Sequence, residues 1–183
     1  MLAALLLALA VQATAPAAAP PAAGVLVLQA VELRRFKADE AGQGAAAGDR
    51  YVYAVVNNAI GKYDKRTGAK LGAWSGPRTL FPHLNSCEVI ARELVCAHSN
   101  FPATPMASSV EVFDPATLTH KRSLSLGPGH GSLTWLTRRA GDWWAAHANY
   151  DERGGEPGRD HRFTTLVRYD DRFQRLAAYV FAE

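Results

Sequence analysis

The strongest constraint on this 183-residue chain is a pattern that occurs three times. In each copy, a strand-like segment ending in Asn is followed by a second segment that ends in an aromatic residue and Asp. A further strand precedes each pair, and a turn with a fourth strand closes the unit. Four antiparallel strands in about forty to fifty residues is the period of a propeller blade. The paired segments are 53–57 with 60–64, 96–100 with 110–114, and 145–149 with 166–170.

The repeat therefore predicts an all-β chain, a β-propeller of four-stranded antiparallel blades, with about three blades near 41–76, 82–126 and 130–181. A β-sandwich also has short strands, but it does not repeat a four-stranded unit three times. Closed propellers have about four to eight blades. We therefore expect either a C-terminally truncated version of a longer propeller or a ring that several copies close. The pattern also predicts an additional strand over 25–36.

The N-terminal segment has the composition of an export signal. Residues 2–11 are almost all Leu and Ala, too few to span a bilayer but typical of a secretory h-region. Val11 and Ala13 are small residues at the −3 and −1 positions, so we predict a signal peptide over 1–13. The alternative is an uncleaved apolar tail. Residues 14–24 are mainly Ala and Pro and read as a tether, which leaves 25–183 as the partial propeller domain. The expected location is outside the cytoplasm, periplasmic or secreted, with no membrane span after cleavage.

The two cysteines, Cys87 and Cys96, fall within one predicted hairpin. If the hairpin turns at 91–92, they face each other in a non-hydrogen-bonded pair, where side chains are closest. An exported protein meets an oxidising compartment, so we predict a disulfide. The alternative is two small buried thiols that fill core space. Two sulfurs at this spacing do not suggest a metal site.

The same register predicts a polar group on one rim of the propeller. It places His98 opposite Asn85, and Asn100 opposite His83, at the end of the hairpin away from its turn. Equivalent positions of the third blade, and two long loops over 99–108 and 150–162, open on that rim. The candidate ligand-binding residues are His83, Asn85, His98, Asn100, His130, His147 and Asn149.

Each candidate also has a structural interpretation. The histidines could act as acid–base groups or ligands, or they could tie rim loops to strand ends by hydrogen bonds. Asp151, Glu152, Glu156 and Asp160 could hold calcium, but the interleaved arginines favour a loop that pairs its own charges. Ser86 and Ser132 lie near a histidine, but no nucleophile motif surrounds either, so catalytic residues and cofactors stay unassigned. The formal net charge of +3 is too small, and its residues too scattered, to suggest nucleic acid.

Several stretches resemble a group of uncharacterised secreted bacterial β-propeller-like proteins, some of them labelled cycloisomerase-like. The resemblance covers most of the chain from residue 34 to the end. It implies a propeller fold and relatives that continue into further blades, and it implies no catalytic residues. The matching stretches are 40–44, 60–64 with 67–68, 83–86, 96–100, 131–135 and 149–155.

Three functions are compatible with these observations. The first is an exported propeller module that binds a small molecule or a protein at its rim. The second is an enzyme of the lactonase, cyclase or lyase type that uses rim histidines. The third is a truncated fragment without function, because an open stack of blades leaves apolar faces and sheet edges uncovered.

Overall fold

The computed structural model describes residues 28–181. The predicted signal peptide, the tether and the cleavage site lie outside the described residues. Residues 28–35 belong to a separate unit and form no strand, so the strand predicted over 25–36 is wrong where it can be compared. A strand needs a neighbour to satisfy its backbone groups, and these residues have no ladder partner. Within the described part of the chain, no helix is long and apolar enough to cross a membrane.

Residues 36–181 form three four-stranded antiparallel sheets, each in sequence order from inner to outer strand. This confirms the all-β prediction. The first sheet comprises β1 (Gly44–Ala47), β2 (Tyr51–Val56), β3 (Ala59–Asp64) and β4 (Lys70–Ser75). The second comprises β5 (His83–Ile90), β6 (Glu93–Ser99), β7 (Ala107–Phe113) and β8 (His120–Pro128). The third comprises β9 (Ser132–Arg139), β10 (Asp142–Ala148), β11 (Thr165–Tyr169) and β12 (Arg175–Val180), with one 3₁₀ turn, His161–Phe163, before β11.

The turns between the third and fourth strands depend on one aspartate each. Asp64, Asp114 and Asp170 accept hydrogen bonds from backbone N–H groups two to four residues further on. A short carboxylate at this position offers the turn a local acceptor, which is why Asp is favoured there. The aromatic–Asp signature therefore marks the end of the third strand of each blade.

Two apolar clusters join the three sheets. Alternating residues of β2 and β6 meet between the first and second sheets, where Tyr53, Leu94 and Phe113 are buried. The opposite face of β6 packs on the third sheet, through Val95 against the cluster that contains Leu136. Because successive side chains of a strand point to opposite faces, β6 and β7 are buried on both sides, while β8 is largely exposed.

The two outer faces of this stack differ. On the first sheet, the buried carboxylate of Glu40 accepts hydrogen bonds from Tyr63 and Lys70, both at 2.5 Å. The segment before β1 therefore covers this sheet. On the third sheet, Trp144 stacks on Tyr179 at a centroid distance of 5.8 Å, while Trp135 is 42% exposed. No described residue covers that face as the second sheet covers the other.

The hairpin of β5 and β6 has the predicted turn and a different register beyond it. Ala91 and Arg92 both have positive φ, as a two-residue turn of this kind requires. Cys87 pairs with Cys96 and lies at disulfide distance, with a Cα–Cα distance of 4.0 Å. A bulge between Leu84 and Cys87 then shifts the register by one residue.

The bulge corrects the predicted cross-strand pairs. His98 lies opposite Leu84 instead of Asn85, and His83 lies opposite Ser99 instead of Asn100. Its physical cause is the neighbouring sheet, because the Asn85 amide donates to the carbonyl of Leu133 at 2.8 Å. That bond turns Asn85 to the third sheet, away from the face that carries the cysteines.

Candidate functional site

The loops between second and third strands and the connections between blades lie at one end of the sheets, which we call the rim. The structure divides the seven predicted site residues among three places instead of one pocket. His83 and Asn100 lie at the loops of the second blade, His98 and Asn85 lie between sheets, and His130, His147 and Asn149 cluster at the third blade.

The first place is built around His83. Its Nδ1 is 2.9 Å from Oδ1 of Asn57, on the short loop of the first blade. Its ring lies 4.9 Å from that of Phe101, which in turn is 4.9 Å from the ring of Tyr150. Burial lowers the pKa of His83, and the charge of Arg153 lowers it further, so the imidazole is neutral near neutral pH.

The two long rim loops pack on each other above His83. The guanidinium of Arg153 lies 5.7 Å from the centroid of Phe101, and the carboxylate of Glu156 accepts the N–H of Met106. A Cβ on Gly154 would lie 2.5 Å from the Phe101 ring, so this close approach requires glycine. These contacts leave His83 half-buried beneath the loops.

The second place is a buried polar network between the first two sheets. The carboxylate of Glu111 accepts hydrogen bonds from Ser109 at 2.6 Å and Ser123 at 2.5 Å, and lies 2.8 Å from Nε2 of His120. Since the Ser109 hydroxyl donates to Glu111, it accepts from Nδ1 of His98, 2.8 Å away. Burial lowers the pKa of His98, an effect that Glu111 opposes. His98 therefore serves this network and not the rim.

The three candidate asparagines hold backbone groups. Besides the bond of Asn85 to Leu133, the Asn100 amide donates to its own loop at Pro105 and its Oδ1 accepts the N–H of Ala107. Asn149 donates to the carbonyls of His130, at 3.2 Å, and of Phe163, at 2.9 Å. Asn100 and Asn149 therefore fix loop backbone, and Asn85 links two sheets.

The third place brings two histidines together at the third blade. The rings of His130 and His147 are 5.3 Å apart, and Nε2 of His147 is hydrogen-bonded to the Tyr169 hydroxyl at 3.0 Å. His147 is fully buried, and burial lowers its pKa to about 4, with a smaller contribution from His130 and an opposing one from the backbone of Gly131. Burial in turn raises the pKa of Tyr169 to about 12. His147 is therefore a neutral core residue at physiological pH.

His130 lines an open cavity of about 500 Å³ at the edge of the third blade. Arg159 and Arg162 of the rim loop and Arg175 of β12 line the same cavity, as does Phe163. Burial lowers the pKa of His130, and the charges of Arg175 and Arg159 lower it further. The cavity thus combines a neutral imidazole with three guanidinium groups.

The acidic loop residues are paired internally. Asp160 and Arg162 form a 2.6 Å ion pair, and Arg159 lies 3.6 Å from Glu156. Asp151, Asp160 and His161 lie close enough to share an ion, but His161 is hydrogen-bonded to Asp151 at 2.8 Å. The pairs agree with the expectation of a loop that neutralises its own charges.

Glu111 and Arg175 are among the residues of these places that the sequence analysis did not single out. Glu111 lies between apolar residues of β7. A carboxylate in such a position indicates a buried partner for its charge, so the sequence did contain a signal for this residue. Arg175 carried no signal, because an arginine at the start of an outer strand is ordinary surface composition.

The fold defines the class of protein as a β-propeller module. No family model and no curated protein matches the sequence. Among solved structures, the chain is similar to hydrazine synthase of Kuenenia stuttgartiensis, with 9% identity and a TM-score of 0.52 over 76% of this chain. Quinohemoprotein alcohol dehydrogenase of Comamonas testosteroni matches with 11% identity and a TM-score of 0.48 over 74% of this chain. Hydrazine synthase, the match with the TM-score above 0.5, is a β-propeller fold.

The chain spans 37% of the length of the hydrazine synthase chain and 26% of the dehydrogenase chain. At these identities the likeness concerns the fold alone, and the similarity gives no support to a cycloisomerase-like label.

Proposed function

We propose that this chain is an exported β-propeller module that binds a small ligand at its rim, in the cavity beside His130. The observation that carries the proposal is the meeting of that imidazole with Arg159 and Arg175 in an open cavity of about 500 Å³. Ligand sites are concave and combine an apolar lining with a few convergent polar groups. The disulfide between Cys87 and Cys96 is compatible with export, because such bonds persist in oxidising compartments.

Binding is preferred to the enzyme alternative because two of the four histidines predicted at the rim are buried and hydrogen-bonded inside the protein. His98 donates to a serine of the buried network, and His147 is held by Tyr169. An acid–base pair at the rim would need both imidazoles of a pair to reach one ligand, and His83 and His130 belong to different places.

Ligand-observed NMR on the full chain tests this proposal. A small-molecule collection is screened against the unchanged chain, His130→Ala and His83→Ala, the second variant serving as the matched rim control. We expect ligands whose signal is lost with His130→Ala and kept with His83→Ala. Ligands that respond to neither substitution would refute a binding site beside His130.

A homo-oligomer that closes the ring remains a separate proposal. It is supported by the exposed Trp135 and Tyr179 on the free face of the third sheet, a face that blade packing otherwise covers. In such a ring, the third sheet of one copy would have to pack on the first sheet of the next, and the segment that contains Glu40 already covers that sheet. Light scattering after size-exclusion chromatography distinguishes a discrete oligomer from a monomer.

A further inference from the structure

The charges around the His130 cavity are of one sign. Nine residues line it, and they include three arginines and a histidine but no carboxylate. Arg162 is already engaged by Asp160 through its Nε and Nη2 atoms. Arg159 has only a long ion pair with Glu156, and Arg175 forms no ion pair with the described residues. Arg175 and Arg159 are therefore the guanidinium groups with donors to offer.

The rest of the lining is largely apolar. Phe163, Ala178 and Val180 stand beside the arginines, and the Arg159 guanidinium lies 5.9 Å from the centroid of Phe163. An inorganic anion would leave this apolar surface in contact with water. A molecule with an anionic head and an apolar body would cover it and satisfy the arginines together.

We propose that this cavity binds a small organic acid, with its carboxylate paired to Arg175 and Arg159 and its body against Phe163. The inference rests on the proposed function, since it names the ligand class of the same site. Guanidinium groups favour carboxylates because their fixed N–H donors match the two oxygens. His130, uncharged beside two arginines, contributes a hydrogen-bonding nitrogen and not a third charge.

Benzoate is the probe ligand. Benzamide is the uncharged control of the same shape, and inorganic phosphate is the control anion that lacks an apolar group. Saturation-transfer NMR on the full chain should show benzoate binding and no comparable benzamide binding. Arg175→Gln should weaken benzoate binding at least about tenfold, as expected for a lost charge-assisted hydrogen bond. Arg66→Gln, on an exposed turn of the first blade, is the matched control and should leave binding unchanged.

Three results would overturn the assignment. Equal binding of benzamide would show that the site does not recognise the negative charge. Displacement of benzoate by equimolar phosphate would show that the site does not recognise the apolar ring. Unchanged benzoate affinity in Arg175→Gln, with circular dichroism confirming the fold, would place the anion elsewhere. If uncharged ligands bind beside His130 while benzoate does not, this inference fails and the proposed function stands. If nothing binds there, both fail.

Discussion

Because His147 is buried, the free energy of unfolding should fall on acidification, and His147→Gln should remove this contribution. The pKa of its imidazole falls from 6.5 to about 4 in the folded chain. Between these values the unfolded chain binds a proton that the folded chain does not. Stability therefore rises with pH across this window, and the stabilisation is lost as pH falls through it.

The size of the effect follows from the separation of the two pKa values. About 2.5 units correspond to about 3 kcal/mol across the whole window. Between about pH 7.5 and about pH 5, roughly 2 kcal/mol of the free energy of unfolding should be lost through His147 alone. The groups that face His147 are His130 and Tyr169, and the Tyr169 phenol stays protonated throughout because its pKa is raised to about 12.

Urea unfolding of the full chain and of His147→Gln at the two pH values measures the contribution of His147 to the pH dependence of the free energy of unfolding. The glutamine can keep a hydrogen bond to Tyr169 but cannot titrate. We expect the variant to be less stable at neutral pH and to lose about 2 kcal/mol less than the unchanged chain on acidification. His161→Gln is the control, because the Asp151 carboxylate raises the pKa of His161 and its contribution therefore has the opposite sign.

If His147→Gln and the unchanged chain lose the same free energy on acidification, the imidazole is not the buried neutral group described here. The difference between the two chains is the decisive quantity, since His83, His98 and His130 also have lowered pKa values and titrate in both.

Substitutions at three further places test the packing. The double variant Cys87→Ser, Cys96→Ser removes a link between residues nine apart and should lower the free energy of unfolding by about 3 kcal/mol; an unchanged urea midpoint would speak against the link. Glu111→Leu leaves two hydroxyls and an imidazole without their acceptor and should cost about 3 kcal/mol or more, well above Glu111→Gln; equal costs would contradict a buried acceptor. Gly131→Ala places a Cβ 2.5 Å from the Ala148 carbonyl at a φ of +102° and should cost more than about 1 kcal/mol by thermal unfolding; a neutral result would refute that contact.

Strand alternation and turn geometry predicted the part of the second blade's first hairpin that lies near its turn. The turn at 91–92 and the pairing of Cys87 with Cys96 depend only on strand alternation and a two-residue turn. The bulge beyond Leu84 depends on hydrogen bonds from Asn85 and Ser86 to backbone carbonyls of β9, 48 residues away. A one-residue slip reverses the side-chain faces, so the error reached every rim pair predicted from that register.

The histidines show the same limit. The repeat placed His98 and His147 at equivalent positions of two blades, and the structure buries both. Their different tasks come from residues that the repeat does not share, Ser109 with Glu111 for one and Tyr169 for the other. His130 reaches a cavity because arginines from a loop and from an outer strand surround it, and neither position is recognisable from a repeat signature.

The most direct test of the proposed site is the pKa of His130 itself, followed by NMR with and without benzoate. In the free chain, Arg175 and Arg159 lower that pKa in addition to burial. A bound carboxylate would offset both charges, so the pKa of His130 should rise when benzoate is added and should not move with benzamide. A pKa that stays constant at saturating benzoate would contradict binding of an anion beside His130.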